Sequence, residues 1–327
     1  MKILVTGGSG FIGQYLVKEL SNDENNEVII FDPQRPDFDL PKNVFYVDGD
    51  ICYKTLLDQH ILGCEEVYDC AGLLGTHELV YSTGRAIDTN IKGAFNVLQA
   101  SLDHDVKRLF HPTKPCFANY YENTYTISKI AAENFSRMYR KVYDMDITIL
   151  RWMNASGPGQ HLYPVRKFIP IAINLALLNK NIELYGTGEQ TMDIIDVRDL
   201  AAIVIGSVRK GLGKTEHVWD VGTGQPISCI DVAEYIIKKI GSTSKIDFVP
   251  MRVGEAPISN IYAKTHQKLF DFIDYKLKYD PYQTLDDCIE YYSNLDPKIL
   301  EASYQFYLKK SPEIINPYQN EAGIKKD

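Results

Sequence analysis

The sequence predicts an α/β protein built on a doubly wound parallel sheet, followed by a smaller α/β lobe. Three observations carry this. Short β-branched runs alternate with amphipathic helical stretches through the first half of the chain, a glycine-rich turn joins the first strand to the first helix, and beyond Gly157-Pro158-Gly159 the alternation gives way to longer loops. Strands separated by helices do not pair as hairpins, so neighbours run parallel with helices on both faces.

The strand candidates, in order, are Ile3 to Thr6, Glu27 to Phe31, Val44 to Asp48, Glu66 to Asp69, Arg108 to His111 and Ile147 to Arg151. Between them, Ile12 to Leu20, Asn90 to Asp103 and Tyr125 to Tyr143 place apolar residues at helical spacing. The second lobe opens with the apolar helix Phe168 to Leu178 and the turn Gly186-Thr187-Gly188, and Asp199 to Val208 and Asp231 to Ile240 read as helices. The expected division is residues 1–157 for the sheet domain and 158–327 for the lobe, with the chain returning to the first domain around 192–222. There is no internal repeat and no low-complexity segment.

With 327 residues, 45% of them hydrophobic and 24% charged, the chain can bury a full core without disulfides or a structural metal. Its 35 Lys and Arg against 43 Asp and Glu, without a long basic run, argue against a nucleic-acid partner. The six cysteines (Cys52, Cys64, Cys70, Cys116, Cys229, Cys288) form no CxxC pair and no Cys/His spacing typical of zinc, so no metal is expected. Lys2 runs straight into Ile3-Leu4-Val5 without a leader-like apolar region, and Phe168 to Leu178 is too short to span a bilayer. The expectation is a cytoplasmic protein with reduced thiols and no membrane partner.

Directly after the first strand comes Thr6-Gly7-Gly8-Ser9-Gly10-Phe11-Ile12-Gly13. Glycines belong where the chain turns tightly, where a pyrophosphate approaches backbone N–H groups and where helix and strand pack closely. Asp32 ends the second strand, placed to accept hydrogen bonds from the adenosine ribose and to repel a 2′-phosphate. This makes the first domain Rossmann-type and the expected cofactor NAD. Asp50 and Ile51, after the third strand, are placed to flank the adenine.

Tyr125 and Lys129, in Tyr-Thr-Ile-Ser-Lys, project from one helix face a turn apart. A tyrosine is a poor base at neutral pH, but a neighbouring ammonium and an oxidised nicotinamide both favour phenolate. Such a pair can move a hydroxyl proton. With 22 tyrosines the spacing alone is weak; its place in the chain after the glycine motif gives it weight.

On these motifs the chain resembles the extended short-chain dehydrogenase/reductase superfamily, in its NAD-dependent nucleotide-sugar epimerase/dehydratase branch, which includes the UDP-glucose/UDP-galactose 4-epimerases. The resemblance reaches to about Tyr292 and also rests on DGDI at Asp48 to Ile51, Cys70-Ala71-Gly72, Asn90 with Gly93, LRWMNASGPG at Leu150 to Gly159, IELYGTGEQTMD and Arg252-Val253-Gly254-Glu255. It implies Tyr125 as base and Lys129 on the nicotinamide ribose. A strand-end Ser or Thr, here Thr113, would bond the sugar hydroxyl. By the same resemblance Cys70, Ala71, Gly72 and Asn90 line the cofactor, Trp152 lies near the nicotinamide, and Asn154 and Arg252 hold the nucleotide diphosphate. A homodimer through the Asn90 and Tyr125 helices is implied as well.

The chain departs from this pattern at two places. His111-Pro112-Thr113-Lys114-Pro115-Cys116 replaces a Ser-rich stretch, and Met192-Asp193 stands where an Arg-Asp pair is usual. Arg166 and Arg198 are the candidate replacements for the missing arginine, Arg198 being equally suited to a structural ion pair. The reading that fits best is an NAD-dependent epimerase acting at C4 of a nucleotide hexose through a 4-keto sugar. A 4,6-dehydratase is the alternative, but that group has an Asp-Glu pair after the strand-end Thr, where this chain has Lys114-Pro115; elimination chemistry would fall to another pair, involving Lys114 or Glu122. A non-catalytic dinucleotide sensor would keep the glycines but need not keep Tyr125 and Lys129.

Overall fold

Seven parallel strands make the central sheet of this computed structural model, which describes residues 1–115, 123–256 and 260–308. Cys116 and Glu122 lie outside the described residues. The strands are β1 (Lys2–Thr6), β2 (Glu27–Asp32), β3 (Val44–Asp48), β4 (Glu66–Asp69), β5 (Arg108–Thr113), β6 (Ile147–Trp152) and, after three strands that lie outside this sheet, β10 (Trp219–Val221). Their order across the sheet is β10-β6-β5-β4-β1-β2-β3. β2 is buried over five of its six residues, as a strand covered on both faces must be, whereas the edge strand β3 is partly exposed. β5 continues two residues beyond its expected end, through Pro112 to Thr113.

One face of the sheet packs against α1 (Phe11–Ser21), with Leu16, Val17 and Leu20 meeting Ile3, Val5 and Phe110. The other face carries α2 (Lys54–Ile61), the short α3 (Thr83–Ala86), α4 (Ala94–Asp103) and α5 (Thr124–Val142), with Leu57, Val97, Leu98 and Tyr139 against Leu4, Leu109 and Ile149. The helix expected to run unbroken from Asn90 is a wide π-turn over Ile87–Gly93 that tightens into α4. The widening coincides with the anchoring of Asn90, whose amide is bonded on both sides, and with Gly93, where a Cβ would fall 2.6 Å from Ile51 Cδ1.

The remaining strands are β7 (Asn154–Ser156), β8 (Ile182–Tyr185), β9 (Thr191–Asp196), β11 (Pro226–Ser228) and β12 (Ile246–Val249). They form a three-stranded sheet, β11-β9-β7, and a parallel pair, β12-β8. A second core, built on Ile169, Ile173, Ile182, Leu184, Val232, Ile236, Leu285 and Tyr292, joins α6 (Phe168–Leu177), α8 (Cys229–Ile240), α10 (Pro281–Ser293) and α11 (Pro297–Leu308) to these strands. Between them α7 (Val197–Arg209) and α9 (His266–Ile273) pack Leu200, Val204, Val208, Leu269 and Ile273 into the core of the seven-stranded sheet.

Asp193 of β9 ties these segments together. Wholly buried, it accepts from Thr223 N (2.7 Å), Thr223 Oγ1 (2.6 Å), Gly224 N (2.9 Å) and Ala263 N (2.8 Å). The five described cysteines are unpaired thiols, and no helix among the described residues is long and apolar enough to cross a membrane.

Candidate active site

The glycine turn is built to admit no side chains. Gly7 has φ +64°, and a Cβ there would lie 2.7 Å from Ala71 N; one at Gly13 would lie 2.1 Å from Gly7 O. The β1–α1 turn therefore presses against the end of β4, bringing Cys70 and Ala71 beside it. Gly10 caps α1 without any side-chain bond, so the first-turn amides, including those of Phe11 and Ile12, have no capping acceptor. At the end of β2, Asp32 accepts from Ser9 N (3.1 Å) and Gln34 N (2.8 Å), which orients its carboxylate at the rim of the turn. Burial pushes its carboxyl up, those two amides pull it down, and Asp50 adds repulsion, which sets Asp50 close by. This cradle suits a dinucleotide: amides for the pyrophosphate and a carboxylate for the ribose. Ile51 is a different matter. Its side chain is buried in the core and its carbonyl is held by Asn96 Nδ2 (2.8 Å), so it packs the sheet rather than offering a face to adenine.

α5 begins at Asn123, whose side chain accepts from Thr126 N (2.9 Å) and donates to Gly254 O (2.8 Å). Tyr125 in its first turn packs on a small apolar cluster with Leu73, Leu79, Ala86 and Val165. The sequence pairing with Lys129 suggested a lowered phenol pKa; instead burial pushes it up to about 12 in the protein alone. Lys129 is only 8% exposed and forms no hydrogen bond among the described residues. Burial lowers its pKa, opposed by the charge of Asp69 and by Cys70. A buried ammonium lacking a partner is costly on its own, and a ribose hydroxyl pair would satisfy it. Asp69 is itself fully engaged: Thr6 Oγ1 donates to it (2.6 Å) and His111 Nδ1 lies 3.0 Å away, the ring nitrogen necessarily donating to a carboxylate.

Several expected residues lie elsewhere. Thr113 is buried and donates to Glu133 Oε2 (3.0 Å), not toward Tyr125. Glu133 also accepts from Arg137 (2.7 Å) and Arg151 (2.8 Å). Asn90 uses its amide to clamp the loop after β4, accepting from Leu73 N (2.7 Å) and donating to Leu73 O (2.9 Å) and Ser128 Oγ (3.0 Å); it shapes the pocket wall rather than touching a ligand. Gly72 is exposed beside it. Trp152 stacks on Phe110 (5.5 Å between centroids, 21°) and packs on the sheet face covered by α1 and α7, opposite to α5. Arg198 forms ion pairs with Asp196 (2.7 Å) and Asp287 (2.5 Å) and lies 3.6 Å from the Tyr279 ring centroid, so it takes the structural role.

Arg166 and Arg252, by contrast, come together. Their guanidinium carbons stand 5.4 and 4.8 Å from the Tyr185 ring centroid, and the buried Glu78 Oε1 takes both Arg166 N (3.2 Å) and Arg252 Nη1 (3.8 Å). Arg166 also pairs with Glu183 (2.8 Å) and Arg252 with Glu255. Lys167 joins them: burial lowers its pKa, with Glu78 and Arg252 nearby, and its ammonium makes no hydrogen bond among the described residues. Glu78 and Lys167 were not singled out from the sequence, Lys167 being signalled only by its adjacency to Arg166. Tyr185 and Glu255 lie in the segments IELYGTGEQTMD and Arg252-Val253-Gly254-Glu255, with no role given to either. Val165, the residue before Arg166, packs on the same small cluster as Tyr125. Asn154 is exposed on β7, its side chain making no hydrogen bond among the described residues.

The model of the NAD dependent epimerase/dehydratase family matches residues 3–222. The chain belongs to this family. Its cofactor is accordingly NAD. Among curated relatives it is 27% identical to the low-salt glycan biosynthesis protein Agl12 of Haloferax volcanii (89% of this chain, 98% of that one). It is 23% identical to a dTDP-glucose 4,6-dehydratase of an Actinoplanes species (89% and 98%). The UDP-glucose 4-epimerase of Thermotoga maritima, solved with UDP-glucose, shares the fold with a TM-score of 0.81 at 22% identity, covering 90% of this chain and 99% of that one.

Proposed function

We propose that this protein is a nucleotide-sugar 4-epimerase. The observation that carries the reading is Tyr125 in the first turn of α5 with Lys129 one turn on, in a chain that also gathers the cationic Arg166 and Arg252 at Glu78 and Tyr185, while Lys114 and Pro115 stand where a dehydratase would need an acid and a base. Bound NAD supplies a reversible hydride acceptor. Lys129 binds the nicotinamide ribose, and its charge brings down the phenol that burial had raised. Tyr125 then takes the C4 hydroxyl proton and, once the 4-keto sugar has turned over so that hydride returns to the opposite face of C4, gives the proton back to the C4 oxygen. Arg166 and Arg252 exchange carboxylate partners for the diphosphate and Lys167 adds its charge, so that the hexose alone is free to turn over. Tyr185, between the two arginines, lines this anion site.

The names of several relatives favour a 4,6-dehydratase as the second reading. Incubation with UDP-, dTDP-, GDP- and CDP-hexoses separates the two by mass spectrometry and NMR. An epimerase gives mass-neutral conversion, keeps a C4 deuterium through many cycles and takes up no solvent deuterium on carbon. Loss of water, with solvent deuterium at C5 and a methyl group at C6, would refute the epimerase. A holoprotein that binds NAD yet converts no sugar would favour the sensor.

A further inference from the structure

We propose that Lys114 is a catalytic residue of this site, its ammonium donating to the oxygen of the sugar carbon that is oxidised and re-reduced. The assignment rests on the redox cycle proposed above and fills the role first expected of Thr113. Thr113 cannot fill it. Its hydroxyl is committed to Glu133, eight residues along α5 from Tyr125, and eight residues of helix span about 12 Å. Glu133 holds it there as an acceptor already fixed by Arg137 and Arg151.

The next residue reaches the other end of the helix. Lys114 Nζ donates to Thr126 Oγ1 at 2.8 Å and lies 5.4 Å from the centroid of the Tyr125 ring, within cation–π range. Thr126 is itself fixed through Asn123, which caps α5 and also bonds the Gly254 backbone of the loop carrying Arg252. The ammonium is thus held beside the phenol by the same capping residue that ties down the cation cluster.

The chemistry needs a donor at that point. As the hydroxyl proton passes to the Tyr125 phenolate, the carbon is oxidised by losing its hydride to the cofactor, and the oxygen carries negative charge between the two events. A charged N–H donor stabilises that oxygen, and its charge also favours the phenolate. Lys114 keeps its own proton throughout, and the cycle closes when Tyr125 returns the proton and the hydride comes back. Having three donors on its ammonium, Lys114 can keep Thr126 while reaching the sugar oxygen.

The test uses the NAD-loaded full chain and a nucleotide hexose found to turn over. Lys114→Met should lower kcat by about 100-fold or more, the cost of losing one donor at a developing oxyanion, with bound NAD unchanged. Its primary isotope effect with C4-deuterated sugar should rise, because hydride transfer becomes limiting. Lys114→Arg should recover at least about a tenth of the lost rate, and Thr113→Val should stay within about threefold of wild type. Independently of turnover, amine acylation read by mass spectrometry should find Lys114 protected by the nucleotide hexose but not by the nucleotide diphosphate alone. Equal labelling in both, or a Lys114→Met enzyme as fast as wild type, would overturn the Lys114 assignment while leaving the epimerase reading intact. A wild-type enzyme silent on every nucleotide hexose would overturn both.

Discussion

Replacing Lys129 by Met should move stability and cofactor affinity in opposite directions. In the protein without NAD, Lys129 is a buried ammonium with no hydrogen-bond partner among the described residues, so its charge is desolvated with little return. Asp69 does not depend on it, being bonded to Thr6 and His111. Exchanging a buried charge for an apolar side chain of similar volume stabilises by about 1–4 kcal/mol where the partner groups remain satisfied. At about 2–4 °C per kcal/mol for a chain of this class, the NAD-free variant should melt several degrees above wild type. The affinity changes the other way, since losing one or two charge-assisted bonds to the ribose costs about 1.5–3 kcal/mol each, a tenfold to hundredfold or greater weakening. The sign with pH also follows. Burial lowers the Lys129 pKa from 10.5, so the unfolded chain binds more protons than the folded one between the two values, and wild type gains stability as pH rises toward 10.5. The advantage of Lys129→Met should therefore shrink over that window. Differential scanning calorimetry of NAD-stripped protein and titration calorimetry with NAD read both effects. A variant that melts lower and binds NAD as tightly as wild type would refute the assignment of Lys129 to the cofactor.

Wild type should bind NAD over NADP by at least about tenfold, roughly 1.4 kcal/mol, and Asp32→Ser should narrow that gap; titration calorimetry with both dinucleotides checks it, and tighter NADP binding by wild type would sink it. An exposed stripe on α5, Ile127, Phe135, Met138 and Val142, with Phe95 of α4 beside it, suits the homodimer implied by the family resemblance. Sedimentation equilibrium should give a dimer for wild type and a monomer for Phe135→Asp; a monomeric wild type would count against it.

Much of this architecture could be read along the chain because it is local. Apolar runs, glycine spacing and the four-residue step from Tyr125 to Lys129 are properties of neighbours, and a helix or strand turns them directly into faces and turns. Thus Val44–Asp48 and Glu66–Asp69 are strands as the pattern required, and Gly7, Gly13 and Asp32 meet at one turn. Asp193 looked like half of a lost phosphate-binding pair; its actual work, accepting four hydrogen bonds, depends on residues thirty and seventy positions away.

What the sequence by itself determined is the sheet, the glycine cradle and the Tyr125–Lys129 helix face. Tertiary structure alone decided which polar groups remain for a ligand, because a side chain's role depends on who else competes for its hydrogen bonds. Glu133 claims Thr113, the Leu73 backbone and Ser128 claim Asn90, and Asp196 with Asp287 claims Arg198. Arg166, Lys167, Tyr185 and Arg252 meet only because α6, β8 and a loop between β12 and α9 converge over Glu78, a contact across as many as 174 positions that no local periodicity encodes. The fold also brings Lys114, noted in the sequence only as a departure and a candidate for elimination chemistry, to the side of Tyr125.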